Sequence, residues 1–466
     1  MFCCLDRNGR DTMNTRKNKG KGSAAFNQGA ASDYRHPLVE SIKSYFESLA
    51  KVKDPGKRKV RWTPRAVATA SVFMALGNRP TLRFACQEAL ASLTHDRCFK
   101  RVGKTYNGLV KAQLRQADGV LPLVKADLRC RAKIALQHVE KTCGWTLLAI
   151  DGSKVDLPRT LSNEHHFGIA DNGKCPQAFI TAIVEVHTKL LWDWRVDRGN
   201  ASEKKHLVEM VKELPSDSLL LADGNFVGYG IWQALEKQSR AFLIRVGGNV
   251  SLLRNLWPEA NIKLKGNSVY VWPKDLQKKV PPLCLRLIVL GKASRRIYLL
   301  TNVTEPSRLS SKAAGKMYRL RWGAEIFYRG FKRTLGFFKL KSRTGRRGRV
   351  ELEWAMVACC VMTLMGIAAV SRLKRDARRI SHAGLLEVVR RRLNENPRRV
   401  RGLQQFQLAL ACCLKDTYQR RGSKASRYRP RTKNTPRSHV LKPPKLRRAT
   451  GKERLLACNQ QWKMAA

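Results

Sequence analysis

The spacing of apolar residues divides the chain into a helical first part and a mixed second part. Between residues 37 and 141 the apolar positions recur at helical intervals, and Thr63-Pro64 has the residue types that begin a helix. From about residue 142 short, nearly continuous apolar runs appear, which are typical of buried strands. The pattern therefore predicts an all-helical domain over 37–141, followed by an α/β domain over 142–370.

The order of elements in the second part indicates a particular α/β core. The pattern predicts three strands, then a helix, then a fourth strand, at 145–151, 177–187, 190–196, 202–214 and 218–222. The second and third strands are expected to be antiparallel neighbours, because only a tight turn separates them. This order is that of a ribonuclease-H-like core.

Between the fourth strand and the next long helix lie about a hundred residues, more than a simple crossover needs. Strand-like runs dominate 241–303, which we interpret as a β-rich insertion in the α/β domain. A helix is predicted over 310–335. Helices are also predicted over 371–418, whereas the two ends, 1–36 and 419–466, are basic, poor in large apolar residues and expected to be mostly disordered.

One uncharged apolar stretch, 354–370, allows two interpretations. Its 17 residues are at the lower limit of length for a membrane-spanning helix. A helix buried against the sheet explains the same pattern, and a single membrane span does not suit so basic a chain. We therefore predict a core helix and no membrane partner.

The net charge of +56, from 91 Lys and Arg against 35 Asp and Glu, indicates a polyanionic partner. The excess is not confined to the end of the chain, so the folded part is basic as well. DNA or RNA phosphate is the partner that this charge indicates, with double-stranded DNA as the prediction, and a ribosome-associated or merely basic protein is the alternative. The 13 cysteines show no C-x-x-C or zinc-finger spacing, which favours a reducing, cytoplasmic setting.

Two aspartates stand at the ends of predicted strands. Asp151 and Asp223 each follow a buried apolar run and each precede a glycine. Side chains at the carboxyl ends of parallel strands face the crevice where ligands bind. An Asp-Gly pair after a strand is also a common turn, so either residue alone is a weak signal.

A third carboxylate lies in the helix predicted over 310–335. At about 100° per residue, Tyr318, Arg321, Glu325 and Lys332 share a stripe about 60° wide on that helix. A solvated helix face is one explanation of such a stripe. A surface that binds a metal-bound phosphodiester is the other, because it needs a carboxylate flanked by cations.

The spacing Tyr-x2-Arg-x3-Glu-x6-Lys resembles the YREK signature of DDE-type bacterial insertion-sequence transposases, and all four positions match. The resemblance covers roughly 140–370. It implies a ribonuclease-H-like domain in which Asp151, Asp223 and Glu325 are the catalytic and metal-binding triad. It also implies two Mg²⁺ ions, with Mn²⁺ able to substitute, and Asp151 as the better candidate to bridge both ions.

The resemblance also implies roles for the other residues and for partners. Arg321 and Lys332 would bind DNA phosphates, and Tyr318 could donate to a phosphate oxygen. The expected DNA partners are terminal inverted repeats and target DNA. A homodimer in a synaptic complex and a bacterial cytoplasmic, nucleoid-associated location follow from the same resemblance.

The predicted activity is transposition by two-metal phosphodiester chemistry, in which the freed 3′-hydroxyl attacks target DNA. Two alternatives stay open: a ribonuclease-H-like nuclease without strand transfer, and a catalytically idle DNA-binding descendant. Trp257 and Trp272 lie in the insertion, where related enzymes have an aromatic residue that stacks on a displaced base. Neither matches by motif, so we predict core packing for them.

Overall fold

A ten-stranded sheet runs through the part of the chain that the structure describes. The structure is a computed structural model, and it describes residues 36–52, 61–94, 96–99, 101–169, 174–256, 268–291, 296–395, 402–416 and 442–465. The strands are β1 (Thr146–Asp156), β2 (Gln177–Glu185), β3 (Leu191–Arg198), β4 (Ser218–Ala222), β5 (Ala241–Val246), β6 (Ser251–Arg254), β7 (Ser268–Val271), β8 (Leu283–Leu290), β9 (Ile297–Thr301) and β10 (Lys445–Arg448).

Helices cover the sheet and form the first part of the chain. They are α1 (Pro37–Lys43), α2 (Pro64–Gly77), α3 (Leu82–Leu93), α4 (Tyr106–Leu136), α5 (Leu161–Phe167), α6 (Glu203–Met210), α7 (Tyr229–Lys237), α8 (Ser311–Leu320), α9 (Trp322–Arg329), α10 (Gly345–Arg372), α11 (His382–Asn394), α12 (Leu403–Ala411) and α13 (Gly451–Ala465). The mixed α/β class predicted from the sequence is confirmed. So is the start of α2, where the Thr63 side chain accepts a hydrogen bond from the Ala66 amide and Pro64 opens the helix.

The sheet has the order β10-β6-β7-β8-β9-β5-β4-β1-β2-β3. At one end, β1, β2 and β3 are antiparallel neighbours, and the sequence pattern predicts the pairing of β2 with β3. On its other side β1 pairs in parallel with β4, and β4 pairs in parallel with β5. The helices α6 and α7 make the connections into these two parallel strands.

The predicted β-rich insertion, 241–303, is divided by the structure. Its first strand, β5, continues the parallel part of the sheet beside β4, because α7 is a crossover long enough to return the chain in the same direction. The later strands β7, β8 and β9 form an antiparallel extension, with β9 paired to β5. The insertion thus lengthens the same sheet instead of forming a separate one.

The apolar stretch predicted as a core helix lies in α10. This helix is long and apolar enough to cross a membrane, but 89% of its most apolar window is buried inside the protein. It packs against α2, α4 and β3. The prediction of a buried helix is confirmed, and α10 joins the helical first part of the chain to the sheet.

A buried ion pair reinforces this junction. Glu353 of α10 is 5% exposed and accepts a hydrogen bond of 2.7 Å from the Trp194 indole N–H on β3. Its carboxylate also lies 2.9 Å from the Lys125 ammonium on α4. One side chain therefore holds a strand and two helices together.

The expectation of a mostly disordered tail is wrong for residues 442–465. Here β10 pairs in parallel with β6 and α13 follows it. Glu453 is 7% exposed and binds the Arg447 guanidinium at 2.6 Å. Ala449 and Ala457 join Trp272 in a small apolar cluster. The ordering rests on strand pairing and one ion pair, which a scan for apolar periodicity does not detect.

We expect Glu353→Ala to lower the free energy of unfolding by about 3–5 kcal/mol, because it leaves a buried ammonium and a buried indole N–H without their partner. Urea denaturation measures this change. Glu387→Ala is the matched control, since Glu387 forms an exposed pair with Arg391 on α11 and should change stability by less than about 0.5 kcal/mol. Equal effects of the two substitutions would contradict this account of the junction.

Candidate active site

The parallel pairing of β1 and β4 places two aspartates side by side. The last pair in this register is Ala149 with Leu221. Asp151 and Asp223 each lie two residues further along their own strand direction. Since side chains alternate between the faces of a sheet, a shift of two residues returns both carboxylates to one face. The sheet therefore brings these two predicted site residues together.

One detail of the sequence prediction is wrong: β1 does not end at Asp151. It continues to Asp156, paired with β2 and, at Asp156, bridged to Lys339. The short strand β4 stops at Ala222, so the edge of β1 beyond Ala149 has no strand beside it. Asp151 therefore lies in mid-strand at an open edge, whereas Asp223 follows the end of its strand as predicted.

The helix that carries the third carboxylate packs directly on these strands. Gly323 at the start of α9 allows the close approach, because a Cβ atom there would lie 2.7 Å from the Val186 carbonyl oxygen. One turn further on, the buried Tyr328 hydroxyl lies 2.9 Å from the Asp151 carbonyl oxygen and 3.0 Å from that of Ile180. These contacts fix α9 across β1 and β2, with Glu325 on the side of Asp151.

The predicted single helix is interrupted in two places. The first is at Arg321, between α8 and α9, and the second is a π-helical turn at Gly330–Thr334. A π turn winds more residues per turn than an α-helix. The angular positions predicted for an unbroken α-helix therefore apply to Tyr318, Arg321 and Glu325 more closely than to Lys332.

Arg321 and Glu325 form an ion pair of 2.7 Å at the site. The Arg321 side chain is 16% exposed and the Glu325 side chain 32% exposed. Arg321 also exerts its charge on Asp151, and the Tyr318 ring is close to both Arg321 and Asp223. Burial raises the pKa of the Tyr318 hydroxyl to about 12, so it remains a hydrogen-bond donor at neutral pH.

Lys332 lies further from the carboxylates, at the far end of β1. Burial lowers the pKa of the Lys332 ammonium, and the negative charge of Asp156 acts in the opposite direction. Among the described residues, none forms a hydrogen bond with its ammonium. The structure thus joins Tyr318 and Arg321 to the acidic group and sets Lys332 about two turns of helix away from Glu325.

Glu203, the first residue of α6, is a fourth acidic neighbour that the sequence reasoning missed. Its charge acts on Asp151 and Asp223, and its Oε2 atom would lie 2.7 Å from a Cβ atom placed on Gly152. An acidic residue in the first turn of a helix is common, because the helix dipole favours it. The sequence signal therefore gave no reason to single it out.

Two carboxylates of the site, Asp151 and Glu203, have raised pKa values. Burial raises the pKa of Asp151 to about 6, and the charges of Asp223 and Glu325 act in the same direction. The Gly152 amide, which donates a hydrogen bond of 2.9 Å to Asp151, and the Arg321 guanidinium oppose this shift. Burial, followed by the charges of Asp223 and Asp151, raises the pKa of Glu203 to about 7.

Carboxylate oxygens in partly buried surroundings suit a divalent cation such as Mg²⁺ or Mn²⁺. In the part of the chain that the structure describes, no three Asp, Glu, His or Cys side chains form a closed metal-binding group. Glu325 is paired with Arg321, and the like charges of the acidic side chains repel one another. The donor chemistry fits a divalent cation, whose charge would remove that repulsion.

The two tryptophans of the insertion have different outcomes. Trp257 lies outside the described residues. Trp272 is 3% exposed, and its indole N–H donates a hydrogen bond of 2.7 Å to the Val280 carbonyl oxygen. Core packing is thereby confirmed for Trp272.

In buffer without divalent cations, the free energy of unfolding should fall as the pH rises from about 4 to about 7 at this site. The raised pKa values of Asp151 and Glu203 mean that the native state binds more protons than the unfolded state in this range. Asp151→Asn and Glu203→Gln should each lessen the fall by about 1–3 kcal/mol. Urea denaturation across this pH range measures the effect, with the exposed Asp275→Asn as control. Variants that keep the wild-type pH dependence would contradict the described electrostatics.

Comparison with known proteins identifies the segment that contains this site. A family model described as a transposase DDE domain matches residues 144–363. The chain is also 27% identical, over 229 residues, to the transposase InsG of insertion sequence element IS4 from Escherichia coli (strain K12). That match covers 46% of this chain and 50% of the relative, so the chain spans about half the length of the curated relative.

Among solved structures, the chain is similar to a cryo-EM structure of a piggyBac transposase synaptic complex with hairpin DNA. The identity is 12% and the TM-score is 0.37, with 84% of this chain and 85% of the other covered. This TM-score is too low to relate the two folds in detail. The family match, by contrast, spans β1 to most of α10 and includes Asp151, Asp223 and Glu325. The resemblance seen in the sequence is thus confirmed for residues 144–363, which match a transposase DDE domain.

Proposed function

We propose that this chain is a DNA transposase that cuts the ends of a mobile element and joins the freed 3′-hydroxyl to target DNA. The observation that carries the proposal is the convergence of Asp151, Asp223 and Glu325, from three separate elements, inside a transposase DDE domain. The charges of Asp223 and Glu325 both act on Asp151, although 72 and 174 residues separate them from it along the sequence.

The catalytic core in this proposal is ribonuclease-H-like. The order β3-β2-β1-β4-β5, antiparallel from β3 to β1 and parallel from β1 to β5, supports it. The strands β6 to β9 then serve as an insertion before the helix that carries Glu325. In the same proposal, 37–141 is a helical DNA-binding domain, 142–370 is the catalytic domain and 371–418 are C-terminal helices.

Asp151, Asp223 and Glu325 are the proposed ligands of two Mg²⁺ ions, for which Mn²⁺ can substitute. Enzymes of the DDE family generally use divalent metal ions. When bound, such ions activate an attacking oxygen and stabilise the leaving oxygen of a phosphodiester. Asp151 is the proposed bridging ligand, because it lies on the central strand of the site and its charge interacts with both other carboxylates.

The three signature residues beside the triad have separate roles in this proposal. Arg321 is ion-paired with Glu325, and its guanidinium would be available to a DNA phosphate if Glu325 held a metal ion instead. Tyr318 donates to a phosphate oxygen near Asp223. Lys332 holds a phosphate further along the strand, since its ammonium lies toward Asp156 and away from the carboxylates.

The charge of the chain supports DNA as the partner. A groove between α4, β3 and α10 is lined by more cations than carboxylates. Its cations are Lys125, Arg129, Arg195, Lys212, Arg346 and Arg349, and its carboxylates are Asp118, Glu213 and Glu353. Four of these cations are each paired with a carboxylate. Lys212 and Arg349 form no ion pair with a described residue, so they suit contact with a phosphate backbone. This groove is consistent with a DNA-binding role for the helical first part.

The remaining parts of the proposal follow from the mode of action. The DNA partners are terminal inverted repeats and target DNA. Two copies of the chain act together in a synaptic complex, each cutting one end of the element. The enzyme works in the bacterial cytoplasm, associated with the nucleoid when it is bound to DNA.

Asp151→Asn, Asp223→Asn and Glu325→Gln should each reduce Mg²⁺-dependent cleavage of element-end DNA to background, because each removes a charged ligand while preserving side-chain size. Binding to the same DNA should change little. An in vitro cleavage assay with and without Mg²⁺, together with an electrophoretic mobility assay, measures both properties.

Asp275→Asn is the control for that experiment, since Asp275 is an exposed aspartate on the insertion. It should cleave like the wild type. Robust strand transfer by any of the three site variants would remove the assignment. Cleavage without joining of the 3′-hydroxyl to target DNA would favour a nuclease over a transposase.

Lys332→Ala should weaken binding to element-end DNA and reduce the slope of log K against log salt by about 1, because one phosphate contact is lost. Lys237→Ala is the matched control. Lys237 is an exposed lysine at the end of α7, the helix that leads away from Asp223. Fluorescence anisotropy over a salt series measures both slopes, and an unchanged slope for Lys332→Ala would exclude the proposed contact.

A further inference from the structure

Glu203 lies close to both aspartates of the site. It opens α6, the helix that crosses from β3 to β4. Asp151 lies on β1 and Asp223 directly after β4, and the charge of Glu203 acts on both. Glu203 is not one of the four signature residues. The contacts of α6 support a role for it at this site.

The first turn of α6 is fixed on both sides of the site. His206 is 5% exposed, and its Nδ1 atom lies 2.8 Å from the Thr181 hydroxyl oxygen on β2. Lys204 donates a hydrogen bond of 2.8 Å to the Val227 carbonyl oxygen, four residues after Asp223. The backbone of Glu203 is therefore held between β2 and the loop that follows β4.

The Glu203 side chain fills the space beside the backbone that follows Asp151. A Cβ atom on Gly152 would lie 2.7 Å from Glu203 Oε2 and 2.5 Å from Phe179 Cζ. The glycine at this position therefore leaves room for the carboxylate and the ring. A glutamate that served only the helix dipole could extend into solvent, whereas this one packs against the strand.

No described residue donates a hydrogen bond to this carboxylate. The Lys204 ammonium is engaged with the Val227 carbonyl oxygen, and Arg321 is paired with Glu325. A partly buried carboxylate next to two others is costly unless a cation neutralises it. The arrangement is accounted for if the proposed metal ions are shared by four carboxylates instead of three.

We propose that Glu203 is a fourth acidic residue of the catalytic site and contributes to binding the divalent cations together with Asp151, Asp223 and Glu325. This inference rests on the proposed function, because it assumes that the triad binds metal ions. It adds a ligand, or a residue that holds a metal-bound water, from the crossover helix.

Isothermal titration of the full chain with Mn²⁺, without DNA, tests the inference. Glu203→Gln should weaken Mn²⁺ binding about tenfold or more. Glu209→Gln is the matched control, because Glu209 is on the same helix with a side chain that is 59% exposed, and it should bind Mn²⁺ like the wild type. Asp151→Asn serves as the reference for loss of the metal site.

Thermal denaturation gives a second readout that a structural role would not produce. Without divalent cations, Glu203→Gln should melt at the wild-type temperature or above it, because one like charge has been removed from the site. With Mn²⁺ at a fixed concentration, its melting temperature should rise less than that of the wild type, since stabilisation by a ligand follows its affinity.

The outcomes separate this inference from the proposed function. Wild-type Mn²⁺ affinity for Glu203→Gln, with loss of binding in Asp151→Asn, would overturn the role of Glu203 alone. Wild-type affinity in both variants would overturn the metal site as a whole. A lower melting temperature of Glu203→Gln without cations would show that Glu203 is a structural residue and would also overturn the inference.

Discussion

The parallel pairing between β1 and β4 is the constraint on which the site depends. It lasts for four residue pairs, Thr146 with Ser218 to Ala149 with Leu221, and then stops because β4 ends. Beyond that point β1 continues beside β2, and the chain after β4 turns away. The divergence opens a space at the sheet edge, with Asp151 on one side and Asp223 on the other. A longer β4 would cover Asp151, and a shorter one would separate the two carboxylates.

The site is an acidic group within a strongly basic chain, and the two charges act over different distances. The net charge of +56 attracts a polyanion over roughly a Debye length, about 8–10 Å at physiological salt. The carboxylates at the sheet edge repel a phosphate at contact. A divalent cation between them and the phosphate reverses that local repulsion. Binding of DNA and binding of metal ions would therefore assist each other in the proposed function.

The sequence predicted the parts of the site that lie next to strong local signals. Asp151 and Asp223 follow apolar runs, and Glu325 stands in a specific four-residue signature. Glu203 has only the ordinary signal of an acidic residue in a first helical turn, so its place is visible only once α6 is seen against Gly152. Strand β10 was missed for a related reason: its pairing with β6 connects segments almost two hundred residues apart, and its own sequence is mostly charged.

The break between α8 and α9 at Arg321 has a consequence for how the site could change on binding. Arg321 and Glu325 are four residues apart, the spacing of a helical ion pair, but Arg321 lies where the two helices meet. Tyr328 and Gly323 hold α9 to the sheet, so the backbone of Glu325 is fixed. The Arg321 and Glu325 side chains can therefore exchange partners by rotation alone, without movement of the Glu325 backbone. In the proposed function, Glu325 would hold a divalent cation in place of Arg321, and the Arg321 guanidinium would then be available to a DNA phosphate.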